Sequence, residues 1–359
     1  MRVAFVPGQK PDYVRNSILV KGLQKNEVEV VQCGVSAPKY PVRMIKSVLN
    51  FSSAKSSEKL DAVIVGFYGH PLVPIVRKMT DLPIIFDAFI STYDTLCFER
   101  KSVPHDSPLC KIFYWLDKVS CSCSNVVITD TNAHIEYFRK TFELREVDFR
   151  RVFVGADDDI FFPKEHDVEN DCFTVFFHGT YRPLQGIDVI VKAADILKAE
   201  NIVFKLIGDG PEKNRIVKLA ADLKLKNLEF LNWSPYEQLP AHIHGADVCL
   251  GGPFSTHGKA SRVIAGKTFQ YLAMRKPVIV GRTKANKELL IDGKDVVMCD
   301  VGSAKSLADA VLRLRDDPAL RKSIAQEGYN TFKKKGTVKA IGNEMLSILN
   351  ELLDGGVCQ

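Results

Sequence analysis

Residues 259–277 read Lys259-Ala-Ser-Arg262-Val-Ile-Ala-Gly266-Lys267-Thr-Phe269-Gln270-Tyr-Leu272-Ala273-Met-Arg275-Lys276-Pro277. Behind Gly266, Phe269, Leu272 and Ala273 recur at helical spacing. The helix is expected to end near Arg275, and Lys276-Pro277 is a break before Val278-Ile279-Val280, an apolar run suited to a buried strand. A helix that feeds a short buried strand through a tight break is a unit of α/β architecture. Lys259, Arg262 and Lys267 gather at or just before the N-terminus of this helix. Free backbone N–H groups and the positive end of the helix dipole favour an anion there, and flanking cations add charge-assisted hydrogen bonds. The same residues also suit a solvated basic loop ahead of an ordinary helix.

Working outward, the pattern repeats. Short apolar runs occur at Val3–Val6, Val28–Val31, Ala62–Val65, Pro83–Phe86 and Val126–Thr129, with helical stretches such as Val14–Lys25 and Leu109–Ser120 between them. A second series follows at Phe173–Phe177, Phe204–Ile207, Leu228–Leu231, Val248–Leu250, Val278–Val280 and Val296–Cys299. Runs of this kind form parallel sheets covered on both faces, and ligands bind beyond the carboxyl ends of their strands. In the first half the loops at those ends hold His70 and Asp87, polar groups directly after apolar strands and therefore candidates for chemistry, although each also suits a turn. Asp130-Thr-Asn-Ala-His134 has the chemistry of a helix N-cap.

The chain has 359 residues, 46% of them hydrophobic, enough for two domains with buried cores. No stretch is long and apolar enough to be read as a signal peptide or a membrane span. Nine cysteines without framework spacing suggest reduced, buried thiols and a cytoplasmic protein. Cys121-Ser-Cys123 lacks a second pair of ligands, so no metal site is expected. The net charge of +6 is concentrated in the first sixty residues. Such a surface could meet anionic lipid or an acidic acceptor as a peripheral contact, or be solvated, and without interleaved aromatics it does not read as a nucleic-acid site.

The segment 259–280 resembles the donor-binding segment of glycosyltransferase family 4, and it does not stand alone. Phe177-His-Gly179-Thr180-Tyr-Arg182-Pro-Leu-Gln185-Gly186, Gly208-Asp209-Gly-Pro211, Asn232-Trp-Ser234 and Glu288-Leu-Leu-Ile-Asp-Gly293 are similar to that family's motifs and follow in its order. Val154-Gly-Ala-Asp-Asp-Asp-Ile-Phe-Phe-Pro163 resembles the connection between the two halves of these enzymes. The resemblance implies an α/β GT-B fold, with two Rossmann-like doubly wound domains facing a central cleft. It divides the chain into an acceptor-side domain over 1–163, a donor-binding domain over 164–336 and a last helix over 337–359 that packs back on the first domain. The polar stretch Glu165–Asp171 is a candidate hinge.

The implied activity is a retaining, metal-independent transfer of sugar from a nucleotide-sugar donor to a hydroxyl on a glycan, glycolipid or small molecule. By the same resemblance Lys267, with His70 and Asp87, would serve the reaction. Gly179, Thr180, Arg182, Gly208, Asp209, Asn232, Lys259, Arg262 and Gln270 would hold the nucleotide sugar, with Gln270 accepting from the ribose. Four positions depart from the family pattern. Thr180 and Gln185 stand where an Arg and a Lys are usual, and Arg262 and Gln270 where two glutamates are. Those departures keep open a non-catalytic partner subunit. A GT-B nucleotide-sugar epimerase is a further alternative, less well served by a basic 259–267 loop.

Overall fold

Both series of apolar runs form strands, and each series builds its own six-stranded sheet, parallel throughout. The computed structural model describes residues 1–164 and 171–355, so residues 165–170 of the expected hinge, and Cys358, lie outside the described residues. The chain divides into one unit of residues 1–154 and 338–359 and another of residues 155–337. The break thus falls nine residues earlier than the family-like connection suggested. The reason is local: Ala156 N–H donates to the Gly336 carbonyl at 3.0 Å, and buried Phe161 packs edge-on against Tyr236, so residues 155–163 are folded into the second unit.

The first unit runs β1 (Arg2–Phe5), α1 (Val14–Gln24), β2 (Glu29–Gln32), α2 (Tyr40–Ser57), β3 (Ala62–Val65), α3 (Leu72–Met79), β4 (Ile84–Asp87), α4 (Pro108–Ser122), β5 (Val126–Thr129), α5 (Asn132–Phe142) and β6 (Asp148–Arg151). Its strand order is β2-β1-β3-β4-β5-β6, in a register that pairs Val3 with Ala62 and Ile85 with Val126. Strands β3, β4 and β5 are buried along their whole length, as β-branched runs covered on both faces must be. Right-handed crossovers put α1 on one face and α2 to α5 on the other. The last helix, Val338–Asp354, covers α1 so closely that a side chain on Gly22 would meet the backbone of Gly342 at 2.9 Å. Cys97 and Cys110 form a disulfide, contrary to the expectation that every thiol is reduced. The turn at residues 94–99 and the start of α4 bring their Cα atoms to 6.2 Å.

The second unit continues with β7 (Phe173–His178), α6 (Ile187–Ile196), β8 (Ile202–Ile207), α7 (Lys213–Asp222), β9 (Leu228–Leu231), α8 (Leu239–His244), β10 (Val248–Leu250), α9 (Gly266–Ala273), β11 (Val278–Gly281), α10 (Asn286–Leu289), β12 (Val297–Cys299), α11 (Ala304–Asp316) and α12 (Pro318–Lys335). Its order is β12-β11-β10-β7-β8-β9, so the direction of winding reverses between β7 and β10. In the first unit the reversal falls between β1 and β3. Ligands of such sheets bind outside the strand carboxyl ends at these reversals. The fold class is therefore the α/β class expected, two Rossmann-like units.

Candidate functional site

At the reversal in the second unit, β7 ends on His178 and the chain turns through Gly179 at φ +152°, while neighbouring β8 ends on Ile207 and turns through Gly208 at φ +149°. A Cβ on Gly208 would lie 1.9 Å from the Gly179 carbonyl oxygen, so the two strand-end turns touch through backbone and neither tolerates a side chain. They line a cavity of about 270 Å³ together with Thr180, Asp209, Trp233 and Ser234. Trp233 stands at its rim with 71% of its surface exposed. Asp209 holds the turn by accepting from Gly210 N–H at 2.7 Å, and its carbonyl accepts from Tyr181 N–H at 2.8 Å.

The helix of the opening stretch, α9, reaches this place from the side. It spans eight residues and ends at Ala273 with Met274 as its cap, close to the expected end near Arg275, which adopts φ +52°. Lys267, on its first turn, is 7% exposed. Its Nζ donates to Gln185 Oε1, lies 4.6 Å from the centre of the Phe177 ring, and would be 3.2 Å from a Cβ on Gly179. Burial pushes the Lys267 pKa down to about 7, because an ammonium with a neutral acceptor in a dry site loses hydration without gaining a counter-charge. An arriving anion would supply that charge.

One turn further along α9, Gln270 and Tyr271 clamp His178. His178 Nε2–H donates to Gln270 Oε1 at 2.9 Å, Tyr271 O–H donates to His178 Nδ1 at 2.8 Å, and the Tyr271 oxygen accepts from His178 N–H at 3.1 Å. The three bonds together fix the imidazole tautomer. Burial and the nearby Lys267 push its pKa down to about 3, so His178 is neutral at physiological pH. The carbonyl of Gln270, expected to accept from a ribose, is engaged by His178.

The other expected binding residues are spread around this centre. Lys259 and Arg262 belong to a short 3₁₀ turn, Gly258–Arg262, that packs against the Pro183–Gln185 turn. Lys259 is buried, and Arg262 Nη1 lies 3.7 Å from where a side chain on Gly258 would begin, so its guanidinium folds over its own turn. Asn232 is exposed beside Trp233, and Arg182 is half-buried at the end of the Gly179 turn. Sequence reasoning missed Lys213, whose Nζ donates to the Gly208 carbonyl at 2.8 Å and lies 4.8 Å from the centre of the Tyr181 ring. It also missed His178 and Tyr271. The position of His178 between an apolar strand and a glycine turn was a usable signal, while Tyr271 looks like any core residue.

His70 and Asp87 lie in the first unit and are both buried. Asp87 makes a two-pronged pair with Arg15, at 3.1 Å on each oxygen, and Arg15 also donates to the carbonyls of Val152 and Phe153. That pairing occupies the carboxylate of Asp87 and ties the end of β4 to the chain after β6. Burial pushes the His70 pKa down, and its Nε2 lies 3.5 Å from Asp117, whose oxygens accept from Ser91 Oγ and from the backbone of Thr92 and Tyr93. Thr131 caps α5 by accepting from His134 N–H at 3.1 Å.

Residues 158–331 match the family model described as glycosyl transferases group 1. Among curated relatives, the lipopolysaccharide core biosynthesis glycosyltransferase LpsD of Rhizobium meliloti is 29% identical over 193 residues, 53% of this chain and 51% of that protein. The alpha-D-kanosaminyltransferase of Streptomyces kanamyceticus is 22% identical over 80% of this chain and 74% of its own length. In the first-named of these relatives the chain spans about half the length. Among solved structures, sucrose-phosphate synthase of Thermosynechococcus elongatus superposes with a TM-score of 0.77 at 14% identity, covering 99% of both chains. HepE of Anabaena, solved in complex with UDP, gives 0.73 at 14% identity over 98% of this chain and 100% of its own. These likenesses establish the fold, that of the GT-B class.

Proposed function

We propose that the chain is a nucleotide-sugar-dependent glycosyltransferase of family 4 type, transferring with retention and without a metal ion to a hydroxyl of a glycan, glycolipid or small molecule. The observation that carries the proposal is Lys267, a buried cation with a neutral partner, held against the Gly179 turn at the reversal of the donor-side sheet. A departing nucleoside diphosphate gathers negative charge as the anomeric bond breaks, and a preorganised cation in a dry site stabilises it. The N–H groups opening α9 and the Gly179 turn add donors, and Lys213, Lys259 and Arg262 contribute positive field. Exposed Trp233 offers a face on which a nucleobase can stack. HepE, with a related fold, was solved with UDP, which makes UDP the first nucleotide to try. The work of a cation usual at position 185 then passes to Lys267, which contacts that same residue.

A glycolipid acceptor would bring the protein to a membrane surface, so peripheral contact belongs to this proposal. The test is a thermal-shift panel of UDP, GDP, ADP and their sugars, followed by donor hydrolysis and transfer assays with and without chelator. At a hundredfold excess over its dissociation constant a bound nucleotide adds ~2.7 kcal/mol of stability. Turnover unaffected by chelator, with the anomeric configuration of the product matching the donor by NMR, supports the full reading. Nucleotide binding without turnover on any acceptor or water favours the partner-subunit alternative, to which the four departures at Thr180, Gln185, Arg262 and Gln270 point.

A further inference from the structure

A second cavity in the same unit, of about 630 Å³, opens at the opposite ends of its strands from the Gly179 and Gly208 turns. Asp247, directly before β10, and Pro277, directly before β11, line one side of it, and the start of α12 lines another. Four cations belong to its wall, Arg275, Lys276, Arg321 and Lys322, against one acid, Asp247.

The first two are placed by the way α9 ends. Beyond the cap at Met274, Arg275 N–H donates to the Leu272 carbonyl at 3.0 Å and Lys276 N–H to that of Tyr271 at 3.1 Å, which closes the helix through one left-handed residue. Glycine is usual at that position because a Cβ strains it, yet here it is Arg275. Arg321 and Lys322 come from the first turns of α12, which packs on α9.

Among the described residues none of these four cations is in an ion pair. Lys276 Nζ donates to the His244 carbonyl at 2.8 Å, and Arg321 Nη1 to the carbonyls of Leu314 and Arg315 at 2.8 and 3.2 Å. Arg275 and Lys322 are exposed. The neighbouring carboxylates are engaged elsewhere: Asp247 accepts from Thr174 N–H at 2.8 Å, Asp317 caps α12 by accepting from Leu320 N–H at 2.8 Å, and Asp316 pairs with Arg315 at 2.7 Å. Like charges gathered around one cavity repel one another, and an anion entering it relieves that cost.

We infer that this cavity binds a small phosphorylated metabolite carrying two phosphate groups, at a site separate from the one proposed for the nucleotide sugar. Its volume is that of a small-molecule site. Guanidinium groups meet phosphate oxygens with paired N–H donors, and ammonium groups add point charge. Four cations exceed the need of one phosphate, and they come as two pairs from two elements, so two anionic groups are served at once. The inference does not rest on the proposed activity, because Lys267 lies on the first turn of α9 and this cavity at its exit.

The experiment is calorimetric titration of the full chain with inorganic pyrophosphate in a Lys267→Met background, which weakens the proposed donor site, with inorganic orthophosphate as the single-phosphate control. The expected result is saturable binding of pyrophosphate, at least about tenfold tighter than orthophosphate. Amide exchange should slow at residues 274–276 and 319–322 and not at the Gly179 turn. Adding Arg275→Gly and Lys322→Gln should weaken pyrophosphate at least about tenfold. That variant should melt no lower than its parent, because glycine relieves the left-handed backbone and Lys322 is exposed. Absence of pyrophosphate binding in the Lys267→Met protein overturns the inference. So does binding that Arg275→Gly/Lys322→Gln leaves unchanged, equal affinity for the two anions, or protection at the Gly179 turn alone. Nucleotide affinity in Lys267→Met is a separate titration that judges the donor site, so either reading can fail without the other.

Discussion

The two sheets reverse their winding at comparable places, but the polar groups beyond the strand ends are arranged in opposite ways. In the first unit Arg15 is matched internally: it closes on Asp87 through two parallel bonds and donates from Nη1 to two backbone carbonyls. In the second unit Lys267 is buried against a neutral amide, beside an imidazole whose nitrogens are both taken. A matched pair holds strands together, whereas an unmatched cation is held ready for a charge from outside. The same backbone topology thus serves as a brace in one unit and, on the proposed reading, as a receptor in the other.

Removing one charge from each unit sharpens this contrast most. Arg15→Met leaves Asp87 buried without its partner and should cost ~3–5 kcal/mol of stability, read from the denaturant midpoint. Lys267→Met removes a desolvated charge that lacks a counter-ion, so the free protein should be as stable as the parent or more so. Nucleotide affinity, however, should fall at least about thirtyfold, equivalent to ~2–5 kcal/mol, by calorimetry. If Lys267→Met destabilises the free protein as much as Arg15→Met does, the distinction between brace and receptor fails.

A smaller contrast lies in the glycines. Gly8, after β1, and Gly208, after β8, both abut backbone: a Cβ would fall 2.0 Å from the Tyr68 carbonyl oxygen in one case and 1.9 Å from that of Gly179 in the other. Alanine at either should destabilise by ~1–3 kcal/mol through forced backbone shifts. Gly208→Ala should in addition weaken the nucleotide, because the displaced Gly179 turn lines the cavity. Equal nucleotide affinity in both variants would detach that cavity from the donor site.

Much of this architecture is legible in the sequence, because short apolar runs mark eleven of the described strands, six of which (β3, β4, β5, β10, β11 and β12) are buried throughout. The missed strand, β6, reads Asp-Phe-Arg-Arg and lies at the sheet edge, where Phe149 is its one buried residue and periodicity has nothing to register. Strand order is not local information at all, so the two reversals could not be placed. The basic character of 259–267 was plain, but the direction of Lys267 was not: its contacts, Gln185 and Phe177, lie more than eighty residues away in the chain and become neighbours through the pairing of β7 with β10. Asp87 was visible as a polar group at a strand end. Its partner, seventy-two residues earlier on α1, was not.

The pH dependence of binding probes the receptor at a finer scale. Lys267 has a pKa near 7 in the free protein, lowered from 10.5, so above pH 7 a bound diphosphate must draw a proton onto it. Affinity for a nucleotide sugar, whose diphosphate does not titrate near neutrality, should be flat below pH 7 and fall toward about tenfold per pH unit above it. In the free protein the sign is opposite. Between pH 7 and 10.5 the unfolded chain binds the extra proton, so this group's contribution to stability rises with pH. Lys267→Met should abolish both slopes, and slopes that survive the substitution belong to another group.

The smallest expected effect concerns the clamp on His178. With its pKa near 3, His178 binds its proton in the unfolded chain but not in the folded one between pH 6.5 and 3, so its contribution to stability is lost as pH falls through that window. Gln270→Ala leaves the Nε2–H of a buried imidazole without an acceptor and should cost ~1–3 kcal/mol at neutral pH. Gln270→Glu keeps an acceptor and adds a negative charge, which favours the imidazolium and raises its pKa. The acid-side loss should therefore span a narrower range of pH than in the parent, with a cost at neutral pH nearer ~1 kcal/mol. Because Gln270 acts on the cavity through His178, both variants should change stability more than they change nucleotide affinity. A tenfold or greater loss of affinity in Gln270→Ala, with the thermal midpoint unmoved, would show instead that the amide touches the nucleotide directly, and the clamp would then be the secondary role of this side chain.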